Sequence, residues 1–250
     1  VMGCTGLLIC GMGIDDTINY GKDSDLAQFY DSDMTVSFNG NPEIDLTKNE
    51  LLSIEEIENV EEYTTINATL NSDEKSVSSA IYGINLDSSF FKFDDSLPNG
   101  RWTENGVALT ESKAEDLGVK LGDTITFDIN GTVYRKEVVY IFYAFFVNGA
   151  YLYKESEPEL FTYSSAAWID LKDDADPENA KQNILKVSDV VYSCLTKDEM
   201  NQRISGYMSS IGMMTNTIKV FAILLAIVVL INLSILNYNE RLRELATLKV

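Results

Sequence analysis

A run of seventeen uncharged residues, Val220–Leu236 (VFAILLAIVVLINLSIL), restricts the fold of this chain more than any other stretch. As a helix it is about 26 Å long at roughly 1.5 Å per residue, close to the thickness of a bilayer core. Lys219 stands at one edge, where its ammonium can reach the headgroups, and Arg241, Arg243 and Lys249 follow the other. Asn232 and Ser234 inside the run should face other helices, because polar groups in lipid need partners. The chain therefore reads as part of a membrane protein.

Residues 1–14 are also uncharged but too short to span a bilayer as a helix. They read as the outer end of a first transmembrane helix, with Asp15 and Asp16 marking its exit. A signal-peptide remnant or a buried helix is the alternative. Positive charge near a span marks the cytoplasmic side, so 238–250 is expected inside and 15–216 outside, in a multi-pass cell-membrane protein.

The outer part is acidic. Residues 15–214 hold 15 of the 19 Lys and Arg and 37 of the 39 Asp and Glu, a net charge of −22. Such a polyanion repels nucleic acid, whose binding depends on neutralising phosphates. Solubility outside the cell explains the charge, with cationic partners as the alternative. There is no histidine, which removes His-based triads and the common His-containing metal sites. Cys4, Cys10 and Cys194 form no CxxC pair and suggest neither a disulfide framework nor a zinc site. Asp23/Asp25, Asp31/Asp33 and Asp170/Asp173/Asp174/Asp176 lack the EF-hand pattern and read as solvated loops. GxxxxGK[ST] does not occur, so any nucleotide hydrolysis belongs to another chain. No catalytic residues, cofactor or metal are expected, and the protein is not expected to be an enzyme.

The outer part reads as α+β. Residues 17–30 should be a helical stalk continuing the first span, and 34–39 a strand. Ser53 and Glu56 suggest a capping box for a helix within 48–60. Strands are expected at 63–70 and 76–86. A small, mostly β region follows: a strand at 106–110, a helix at 111–117 and the strand 124–129. Asn130-Gly131 signals a hairpin into 132–146. Ser156 and Glu159 suggest a helical turn, 166–171 a strand, Asp176-Pro177 a helix start, and 186–193 another strand. The expected architecture is a two-lobed extracytoplasmic domain on a stalk of two long transmembrane helices. One lobe is a discontinuous α/β porter-like lobe, and a mostly β lobe is inserted into it. The boundaries are 1–30 for the end of the first span and stalk, 31–88 and 156–195 for the α/β lobe, 89–155 for the inserted lobe, 196–237 for the stalk and second span, and 238–250 for a cytoplasmic segment.

Thr196 and Glu199 form a capping box before the longest helical pattern. Met200, Ile204, Tyr207, Ile211, Met214, Ile218, Phe221 and Leu225 then recur at alternating spacings of 4 and 3. That seam predicts a rigid stalk paired with another helix, for instance that of 14–30, with one apolar face packing on its own domain as the alternative; it runs into the apolar segment without a break.

Three stretches carry a resemblance. GMGIDDTI (11–18) with QFYDSD (28–33), NGRWTENGVALTESKAEDLGVKLGDTITF (99–127) and NYNERLRELATLKV (237–250) resemble, in order, segments of FtsX-like and MacB-like ABC transporter permeases. The last carries the pairs Glu240-Arg241, Arg243-Glu244 and Leu248-Lys249. The resemblance implies a permease subunit that works with a separate cytosolic ATPase, contacted through Glu240, Arg241, Arg243, Glu244 and Lys249. It implies a homodimer or a pseudo-dimer of permease halves, in contact with membrane lipid. ATP hydrolysis would then rearrange the outer domain, either to export a peptide, antibiotic or lipoprotein or to regulate envelope processes. The alternative is a two-span, membrane-anchored extracellular sensor or adhesin.

Overall fold

The computed structural model describes residues 32–247 apart from 41, 45, 92–99 and 145–146, together with a few helical positions between 6 and 21. Gly21–Asn201 forms one compact unit, and Val1–Tyr20 with Gln202–Val250 forms another.

Among the described residues, nine strands build the larger unit: β1 Met34–Phe38, β2 Ile57–Asn71, β3 Ser76–Ile84, β4 Val107–Thr110, β5 Thr124–Ile129, β6 Thr132–Phe142, β7 Ala150–Tyr153, β8 Ala166–Leu171 and β9 Val191–Thr196. Helices α1 Leu46–Leu52, α2 Glu111–Leu117 and α3 Pro177–Val187 accompany them, and α4 Lys197–Thr247 follows. The strand order is β3-β7-β4-β6-β5-β2-β8-β1-β9, and β3 also pairs with β2. The first six strands therefore close on themselves as a ring, which leaves that part of the sheet without edges.

β2 belongs to both parts. Ile57–Tyr63 pairs with β8, and Thr64–Asn71 pairs with β3. Ser165 covers the change of partner: its N–H donates to Tyr63 O at 3.0 Å, and its Oγ accepts the Thr65 N–H at 2.9 Å. The Thr64 hydroxyl donates to Tyr163 O.

The alternation along the strands separates two cores. Val107, Leu109, Ile125, Phe127 and Leu152 pack inside the ring with Ala114 and Leu117 of α2. Ala108 and Tyr151, one residue out of phase, join an aromatic cluster with Phe90, Phe91, Trp102 and Trp168. A bulge makes this possible. Val107 pairs with Val138 but Ala108 pairs with Tyr140, so Val139 is extra. It turns Tyr140 and Phe142 toward the aromatic side. Two glycines seat the bulge. A Cβ on Gly100 would lie 2.0 Å from Val139 O, and one on Gly106 2.3 Å from the Val139 side chain. Gly100 also has φ 97°, where other residues are strained. A third core, with Met34, Val36, Val60, Ile169 and Ile184, lies between the β1/β2/β8/β9 sheet and helices α1 and α3.

Several expectations are met. Asn130 and Gly131 have φ 55° and 85° at the β5–β6 turn, as a tight hairpin requires. The Asp176 side chain accepts the Glu178 N–H at 3.3 Å, with Pro177 opening α3.

Others are corrected. No helix fills 48–60: α1 ends at Leu52 and β2 begins at Ile57. Ser53 caps nothing, because its hydroxyl donates back to Glu50 O at 2.6 Å. The Ile57/Val60 pair that resembled a helix face is buried in the sheet core instead. The expected strand 186–193 is displaced to β9, since α3 continues to Val187. Strand β7 was not expected, and β3, expected in the α/β lobe, pairs into the ring. Of the helix expected at 17–30, Thr17 and Gly21 are helical, and 18–20 and 22–30 lie outside the described residues.

Candidate functional site

The chain reaches β1 from the N-terminal segment and leaves β9 into α4. These two strands are antiparallel neighbours, with Met34 opposite Thr196 and Val36 opposite Cys194. The two connections to the apolar segments therefore leave the sheet at one corner.

Asp33 ties that corner together. Its N–H donates to Ile169 O at 3.0 Å, its Oδ2 accepts the Leu171 N–H at 2.9 Å, and its C=O accepts the Lys197 N–H at 2.7 Å. One residue thus fixes the start of β1, the end of β8 and the first residue of α4. The capping box is present as read from sequence. The Glu199 N–H donates to Thr196 Oγ1 at 3.2 Å, and the Thr196 N–H donates to Glu199 Oε2 at 3.1 Å. Glu199 also bonds Lys181 of α3 through Oε1, which holds the Lys181 ammonium above its ordinary range. Cys194 is buried beneath this corner, and burial pushes its thiol up to about 12, which favours the protonated thiol over the nucleophilic thiolate.

Within the unit of 1–20 and 202–250, α4 is long and apolar enough to cross a membrane. Among the described residues its buried positions are one large, Ile204, and two small or polar, Thr215 and Ala222, at 8%, 2% and 0% exposed. They follow one line along the helix with Met208, Gly212, Lys219 and Ala226, all half-buried. Of the seam read from sequence, Ile204 is on this line and Met200 is half-buried. Tyr207, Ile211, Met214 and Ile218 are exposed, Tyr207 at 72% and Met214 at 69%. Sequence reading passed over the small-residue line because hydropathy does not register it. Its signal is the spacing of Gly212, Thr215, Ala222 and Ala226.

Glu240, Arg241 and Arg243 lie on the exposed surface of α4. Glu244 is on the same helix, its side chain and Lys249 lying outside the described residues. Among the described residues no group of three or more His, Cys, Asp or Glu could hold a metal ion.

No protein-family model matches the chain, and no curated protein matches it. Solved structures do. The chain is similar to the periplasmic region of MacB from Actinobacillus actinomycetemcomitans, at 18% identity and a TM-score of 0.50, over 72% of this chain and 96% of that one. It is also similar to the extracellular domain of the ABC-type transporter YknZ from Gram-positive bacteria, at 15% identity and a TM-score of 0.45, over 60% and 90% of the two chains. A domain of a permease protein from Porphyromonas gingivalis matches at 12% identity and a TM-score of 0.44, over 62% and 77%. The resemblance to MacB-like permeases read from the sequence is thus met at the level of fold: this chain has the fold of the MacB periplasmic region.

Proposed function

We propose that the chain is the extracytoplasmic domain and adjoining membrane segments of an ABC transporter permease, coupled to a separate cytosolic ATPase. The observation that carries this reading is the corner where β1 and β9 meet, because displacement of either membrane connection acts on one hydrogen-bonded strand pair. The fold shared with the MacB periplasmic region supports it. In this reading 1–30 and 196–237 form the two-helix stalk, and the β1/β2/β8/β9 sheet with α1 and α3 is the porter-like lobe. The ring of β2 to β7 is the inserted lobe. Residues 15–216 lie outside the cell and 238–250 in the cytoplasm. Glu240, Arg241, Arg243, Glu244 and Lys249 contact the ATPase. The exposed part of the seam, Tyr207, Ile211, Met214 and Ile218, meets a helix of a second copy or of a second permease half. No catalysis is assigned to this chain.

Arg241→Glu with Arg243→Glu tests the coupling. In membranes carrying the full permease and its ATPase, the double variant is expected to abolish transport-linked ATPase stimulation. Tryptophan emission of the outer domain should not change. Normal stimulation would overturn the reading. Cysteines placed at Tyr207, Ile211 and Met214 should crosslink to the partner helix with heptad periodicity, and equal crosslinking all round α4 would remove the seam.

A further inference from the structure

Where β2 passes from β8 to β3, a carboxylate lies under a loop. Glu61 is 7% exposed, and its Oε2 accepts the Ser89 N–H at 3.3 Å. The Ser88 hydroxyl also hydrogen-bonds it. The other oxygen, Oε1, is buried and has no hydrogen-bond partner among the described residues. Ser88 Oγ in turn accepts the N–H groups of Phe90 and Phe91 at 3.2 and 2.9 Å. Asn59 Nδ2 donates to Ser89 Oγ at 3.4 Å. The strap Asp87–Phe91 is thus fastened to β2 through Glu61 and Asn59.

The strap drives two rings into the joint between the two parts of the sheet. The Phe91 ring lies 4.8 Å from Tyr151 of β7 and 6.2 Å from both Phe142 of β6 and Trp168 of β8. The Phe90 ring is 6.2 Å from Trp168. One wedge therefore touches both the ring and the four-stranded sheet. Among the described residues, the charged groups that act on Glu61 are Asp87 on the strap and Lys154 after β7. Across β8 it faces Trp168, with Asp170 opposite Asn59.

We propose that Glu61 is a proton-operated clamp: protonated, it keeps the Asp87–Phe91 strap closed over the joint, and ionised, it lets the strap loosen. A buried carboxylate with one oxygen unpartnered is costly, whereas opening the strap gives both oxygens to water. Burial accordingly pushes Glu61 above the ordinary 4.5, against the pull of the Ser88 and Ser89 hydrogen bonds and of Lys154, while Asp87 adds to the rise. The sign follows. Closure is strongest below the ordinary carboxyl value and weakens as pH rises through the raised one. In a domain outside the cell, acidification would stiffen the joint. The clamp does not depend on the transporter reading.

The test uses the full chain in lipid nanodiscs, with amide exchange corrected for intrinsic rate between pH ~4 and ~8. Protection of the Phe90 and Phe91 amides should fall about tenfold for each unit by which the Glu61 pKa is raised. Emission of the chain's two tryptophans, Trp102 and Trp168, both in the aromatic cluster, should shift red with the same midpoint. Glu61→Gln should hold the low-pH protection throughout. Lys154→Ala should raise the midpoint and Asp87→Asn lower it, and these less buried sites keep the test decisive if Glu61→Gln does not fold. Flat protection in the wild type, or a midpoint that neither Lys154→Ala nor Asp87→Asn moves, would overturn the clamp.

Discussion

The two parts of the sheet share a strand and differ in how they end. The ring of β2 to β7 pairs every strand on both sides. The four-stranded part ends in β9, an edge strand, next to β1, and both connections to the apolar segments leave there. A closed ring resists shear because any strand that slips must break two ladders, whereas an edge pair can move by breaking one. The ring is therefore the rigid body and the β1/β9 corner the compliant one. The sharpest way to break this contrast is to unseat the ring's one bulge against β4. Gly100→Ala puts a Cβ about 2.0 Å from Val139 O at a backbone of φ 97°. We expect a loss of about 3 kcal/mol in unfolding free energy, measured by denaturant titration of the sheet unit Gly21–Asn201. A near-neutral result would mean that the bulge does not hold the ring.

Asp33→Ala probes the other side. It removes the acceptor for the Leu171 N–H at the corner. An expected cost of about 2 kcal/mol should appear locally rather than globally. Alkylation of Cys194, followed by mass spectrometry, should accelerate while amide protection along β4 stays unchanged. Equal loss of protection in both parts would show that the sheet opens as one body.

What the sequence made legible was local. Asn130-Gly131, Asp176-Pro177 and Thr196 with Glu199 each specify a turn or cap through contacts a few residues apart, and each stands as read. Ser53 with Glu56 has the same spacing and is not a cap, because burial of Ile57 and Val60 beside Ile169 favours starting a long strand there. The ring was not legible. It depends on β3 pairing parallel with β7 across almost 70 residues of chain, and no local signal announces that partner. Asp33, which ties the corner, was read as half of a solvated acidic pair; three backbone partners far away in sequence give it its role. On α4, periodicity found the large residues, while the buried line runs through Thr215 and Ala222.

A smaller effect is expected where the corner passes into α4. Glu199→Ala removes half of the capping box and the partner of Lys181. The cost should be about 1 kcal/mol, seen as faster exchange in the first turn of α4. Thr196→Ala should match it, and the double variant should cost less than the sum, because the two side chains form one reciprocal cap. Strict additivity would mean that Glu199 acts through Lys181 alone.

The smallest effect carries the opposite sign. A Cβ on Gly206 would meet nothing within 4 Å, so Gly206→Ala adds no clash inside this chain. An exposed helical glycine costs roughly 1 kcal/mol relative to alanine, and the substitution should stiffen α4 by about that amount. Slower exchange around Tyr207 checks it in the chain alone. In the proposed assembly the same substitution discriminates further. Gly206 neighbours Tyr207 and lies beside the exposed face that bears Met214. If a partner helix packs closely at Gly206, the methyl group that stabilises the isolated chain should weaken the assembly.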